Sequence, residues 1–76
     1  IALRTLAYYF LWNLLACAGY GPHLGQIAAQ DQKVAELIEK LVRSNTQALQ
    51  NINMEGINEN LLRAISQEHL SRVLQN

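Results

Sequence analysis

The sequence predicts an all-α protein, and three observations carry that expectation. Apolar residues recur at intervals of three and four through most of the 76 residues. Glutamate precedes a basic residue by four positions at Glu36–Lys40, Glu39–Arg43, Glu59–Arg63 and Glu68–Arg72. Each such pair supports a helix by about 0.2–0.5 kcal/mol, which accounts for these carboxylates without any acid–base role. Three of the four glycines and the only proline gather between Gly19 and Gly25, where they mark a hinge between helices.

The first element, 1–20, reads as a helix that is apolar on every side. Leu3, Leu6, Phe10, Leu14 and Cys17 follow helical spacing on one side, and Tyr8, Leu11, Trp12 and Leu15 cover the other. No formally charged residue stands between Arg4 and Asp31. A helix without a polar face belongs inside a large protein or in lipid. Twenty residues match the roughly 17–25 that a bilayer span needs, provided Arg4 snorkels to the headgroups. The expectation is therefore a transmembrane anchor built on Leu6, Phe10, Leu11, Trp12, Leu14 and Leu15. Asn13 in mid-helix argues for the alternative, burial against protein.

After the 21–25 hinge, 26–76 reads as an amphipathic hairpin or stalk. Its first arm, 26–54, carries Val34, Ile38, Leu41, Asn45, Ala48 and Ile52 in steps of three or four, and Pro22 suits a first helical position ahead of it. Gly56 stands where a left-handed cap would be needed after that arm. The second arm begins near Asn58, a good N-cap residue, and places Leu61, Leu62, Ile65, Leu70, Val73 and Leu74 on one broad face. An arm of that length outruns its neighbour, so part of its stripe is expected to meet other chains. The expected partner contacts are Val34, Ile38, Leu41, Asn45, Ile52, Leu62, Ile65 and Val73, with Asn45 as a polar residue that sets helical register.

Composition narrows the function. Six basic residues balance six acidic ones, so the phosphate term that nucleic-acid binding needs is missing. One cysteine provides neither a disulfide scaffold nor a multi-cysteine metal site. No phosphate-binding loop or nucleophile elbow occurs, and an enzyme, a cofactor and a metal site are not expected. His23 reads as a capping or interfacial residue of the hinge, and His69 as the edge of an interface.

Cys17 closes the run Leu14-Leu15-Ala16-Cys17 behind a basic residue and an apolar stretch. That pattern resembles the lipobox of bacterial lipoprotein signal peptides, over the first quarter of the chain. The resemblance implies lipidation of Cys17 and removal of the residues before it. The competing reading is a cysteine packed as a small hydrophobe.

These readings lead to one functional expectation: a non-enzymatic structural subunit of a membrane-associated assembly, in a bacterial or viral envelope. It would contact lipid and other protein subunits, identical or different, and no nucleic acid. The alternatives are a three-helix, self-associating interaction module whose first helix is a shared core, and a small envelope lipoprotein.

Overall fold

The computed structural model describes residues 3–45 and 47–75. Ile1 and Ala2 of the expected first helix, Thr46 of the second and Asn76 of the third lie outside the described residues. The order of elements is α1 (Leu3–Cys17), α2 (Leu24–Gln30), α3 (Gln32–Arg43), a 3-10 turn (Ala48–Asn51) and α4 (Glu59–Gln75). The all-α expectation holds, with no strand among the described residues.

The hinge begins as a glycine-terminated helix end. Gly19 takes φ +90 and donates to the Ala16 carbonyl at 3.1 Å, while Tyr20 N–H reaches back to the Leu15 carbonyl at 2.7 Å. This pair of bonds is the Schellman arrangement. It satisfies two carbonyls that the helix leaves without partners and needs a residue free to adopt positive φ. Pro22 does not open the next helix as expected. That helix starts at Leu24, with His23 at its N-cap.

The long arm expected over 26–54 is divided. Asp31 has extended backbone (φ −158, ψ 111) and serves two helices. Its N–H ends α2 on the Ile27 carbonyl at 2.8 Å. Its carboxylate starts α3 by accepting from Lys33 N–H at 2.9 Å and Val34 N–H at 3.2 Å. Carboxylates are strong N-caps because the first helical N–H groups have no intrahelical acceptor. α3 then stops at Arg43, and Asn45 lies beyond it. Asn45 is exposed, and its Oδ1 accepts from Ala48 N–H at 2.8 Å, which starts the 3-10 turn. It therefore does not sit in a helical stripe where it could set register.

The entry to α4 matches its expectation. Asn58 Oδ1 accepts from Leu61 N–H at 3.2 Å, and its carbonyl accepts from Leu62 N–H at 3.0 Å. Gly56 does adopt positive φ (+77), but in the tight turn closed by Ile57 N–H on the Met54 carbonyl rather than at a helix end.

One apolar core draws on every element. Trp12, Val34, Ile38, Leu41, Leu49 and Leu62 are at most 1% exposed. The radius of gyration is 11.6 Å, close to the roughly 11.4 Å of a compact chain this long, so no stalk projects from it. Val34, Ile38, Leu41 and Leu62, expected to meet other chains, are consumed by this core. The broken arm folds back and covers its own stripe.

Candidate interaction surface

α1 is held in the fold by its inner face. Thr5, Trp12 and Leu15 are its buried residues, and α1 packs on α3. Arg4 meets Glu59 at 2.7 Å at the start of α4, and Trp12 Nε1–H donates to Ser66 Oγ at 3.1 Å further along. The two helices therefore run side by side in the same direction. Thr5 Oγ1–H donates to Met54 Sδ at 2.9 Å. Asn13 donates through Nδ2 to the Tyr9 carbonyl at 2.9 Å and to the Leu41 carbonyl at 2.8 Å. Leu41 lies in the last turn of α3, where carbonyls lack intrahelical partners, so Asn13 both satisfies that helix end and ties it to α1.

This placement revises the anchor expectation. Trp12 and Leu15 are in the core, Leu6 and Leu11 are half-buried, and only Phe10 and Leu14 of the anchor set remain exposed. α1 has 15 residues, and among the described residues no helix is long and apolar enough to cross a membrane. A transmembrane first helix thus gains no support. The lipobox reading meets a related difficulty. Removing the residues before Cys17 would remove Trp12 and Leu15 from the core.

The outer face of α1 is apolar and uncovered. Leu3 is 82% exposed, Phe10 59% and Leu14 71%. Ala7 and Cys17 are exposed as well, the cysteine as a free thiol. These five residues step by four, three, four and three, so at 3.6 residues per turn they fall within an arc of about 80°. Trp12 sits diametrically opposite. The result is a seam of the kind that packs helices against one another, with knobs repeating every 3.5 residues on average. Large apolar side chains exposed singly need no explanation, but a contiguous stripe of them marks a contact surface.

A second cluster surrounds His69. Its ring lies 4.9 Å from Trp12 and 5.7 Å from His23, centroid to centroid. Its Nε2 is 2.8 Å from the Tyr20 carbonyl. A carbonyl only accepts, so Nε2 carries the proton, and the ring pins the hinge to α4. The adjoining cavity, with His23, Gln26, Glu68 and Arg72 on its wall, has a volume of only about 70 Å³. A larger groove of about 450 Å³ runs along the end of α3 between Glu36, Glu39, Lys40 and Arg43. Its charges are those of a solvated helix face, with Glu39 and Arg43 paired at 3.2 Å. Among the described residues no group of three or more His, Cys, Asp or Glu side chains is placed to hold a metal ion.

Compared with protein-family models, curated proteins and solved structures, the chain shows no match. Its site is therefore read from its own geometry. Of the expected partner contacts, Ile52, Ile65 and Val73 remain half-buried at the edge of the core and Asn45 is exposed. The contiguous apolar exposure lies on α1. Ser66 is an ordinary polar position in the sequence of α4, and Asn13 is the mid-helix polar residue that argued for burial against protein. Both are the hydrogen-bonding partners that an inward-facing α1 requires. Asn13 carried a signal, since a polar residue within an otherwise apolar helix needs a partner when buried, whereas Ser66, in a helix with many polar residues, carried none.

Proposed function

We propose that this protein is a non-enzymatic helical interaction module that works by packing the outer face of α1 against an apolar partner surface. The observation that carries this reading is the coexistence on one helix of a fully buried Trp12 and, opposite it, the exposed seam of Leu3, Phe10 and Leu14. A helix whose inner face already completes a core has no folding reason to keep its other face apolar. Exposed aromatic and aliphatic side chains in a row favour association. The domain supplies a rigid platform, through the Trp12–Ser66 and Asn13–Leu41 bonds, on which that face is presented. The His69 cluster fits a structural role, fastening the hinge.

A photo-crosslinking amino acid placed at Phe10, and separately at exposed Gln67 of α4, tests this in cells producing the chain. Covalent adducts from position 10 and none from position 67 are expected. No adduct from position 10, or equal yields from both positions, would overturn the reading.

A further inference from the structure

We infer that the partner of the α1 seam is a second copy of this chain, paired antiparallel so that Phe10 lies on the two-fold axis. This inference rests on the interaction-module reading above and adds the occupant and its orientation.

Charge selects the occupant. Between Arg4 and Asp31 the chain has no formally charged residue, so the seam and its flanks are neutral. A helix that lies on a lipid surface is typically rich in Lys and Arg beside its apolar face, where they meet anionic headgroups. Here the seam is flanked by half-buried Leu6 and Asn13 on one side and by Ala18 and half-buried Leu11 on the other, all uncharged, and Arg4, at one end, is bound to Glu59 at 2.7 Å. A foreign helical partner is usually specified by complementary charges along the seam, and none are present to specify one. A neutral apolar stripe is by contrast complementary to itself, and a two-fold contact brings the same patch from both chains together.

Side-chain sizes select the orientation. In a parallel pair each residue faces its own copy. Ala7 would then face Ala7 between layers of Leu3 and Phe10, which leaves a gap. In an antiparallel pair centred on Phe10, Leu3 faces Cys17 and Ala7 faces Leu14, so a small side chain opposes a large one in each flanking layer. Interdigitated layers of that kind fill space without voids. Antiparallel alignment also opposes the two helix dipoles. The seam is one helix face about 22 Å long and about 10 Å across. That puts the contact at the small, readily dissociating end of protein interfaces.

Sedimentation equilibrium of the full chain, from about 1 µM to 1 mM, tests the pairing. The expected result is a rise from the 8.6 kDa chain mass to twice that mass with increasing concentration. Phe10→Glu is expected to stay at the single-chain mass with an unchanged helical circular dichroism spectrum. Leu74→Glu, at a side chain 76% exposed on α4 and off the seam, should pair as the unaltered chain does. A chain that stays single at 1 mM, or that pairs equally well as Phe10→Glu, would overturn the inference. If position-10 adducts form in cells only with other proteins while the purified chain stays single, the interaction module stands and the second copy falls. Mild oxidation with copper phenanthroline then reads the orientation. Leu3→Cys should form linked dimers through Cys17 of the partner copy, and the unaltered chain should not. Disulfide-linked dimers of the unaltered chain at high yield would instead show a parallel pair and overturn the antiparallel one.

Discussion

α1 and α3 are of similar length, 15 and 12 residues, and both contribute to the same core, yet their outer faces differ in kind. α3 separates its side chains cleanly. Val34, Ile38 and Leu41 point inward, and Glu36, Glu39, Lys40 and Arg43 face outward. Its outer face is finished in water and asks for nothing more. α1 buries Thr5, Trp12 and Leu15 and then presents Leu3, Phe10 and Leu14 on the other side. The difference shows that apolar content alone does not give a helix its destination. The inner face of α1 is set by specific polar bonds to Ser66 and Leu41. The outer face is left uncovered by its own chain.

If that contrast is right, substitutions on the two faces of α1 should separate into large and small effects on stability. Trp12→Ala removes the largest fully buried side chain and should cost about 3–5 kcal/mol, a large share of the stability of a domain this small. Urea denaturation followed by circular dichroism is expected to show a chain that is partly unfolded before denaturant is added. A well-folded Trp12→Ala variant would mean that the inner face is not core. Ser66→Ala leaves the Trp12 indole N–H buried without its partner, at about 1–3 kcal/mol. The expected reading is a lower urea midpoint with the slope of the transition unchanged, and no shift would show that the bond carries no weight.

The break between α2 and α3 sharpens the contrast further. Asp31→Ala removes two cap hydrogen bonds and should cost about 0.5–2 kcal/mol. Amide exchange at Lys33 and Val34 should accelerate with it, whereas unchanged exchange there would place the helix start elsewhere. Leu14→Ser, on the outer face, should change the stability of the single chain by no more than about 0.5 kcal/mol. A thermal unfolding curve at low concentration reads this, and a large loss would mean that Leu14 belongs to the core.

How much of this was legible in the sequence depended on whether the governing signal was local. Asn58 as the cap of α4 and the Gly19 hinge were readable, because both act through backbone groups within a few residues. The apolar inner face of α3 was readable as a stripe, but not its destination. Val34, Ile38 and Leu41 look alike whether they meet their own chain or another. The break at Asp31 was hidden because Ile27, Val34 and Ile38 keep helical spacing across it, so the periodicity reads as one long arm. The cap rule that would have divided it was satisfied by the same residue. α1 was misplaced for a different reason. A helix that is apolar on every side gives Trp12 and Phe10 no distinct faces by pattern, and only the polar partners, Ser66 some fifty residues away and the Leu41 carbonyl, turn one inward and leave the other outside. Such pairings have no signature in local spacing.

Trp12 is the only tryptophan in the chain, so its fluorescence reports on the inner face of α1 alone. Emission and acrylamide quenching should be compared between the unaltered chain and Phe10→Glu at low micromolar concentration. A two-faced α1 requires blue-shifted, poorly quenched emission in both, because Trp12 is buried by its own chain whether or not the seam is occupied. Emission that shifts to the red and becomes readily quenched in Phe10→Glu would show that the two faces are not independent, and that Trp12 is buried by association rather than by the fold.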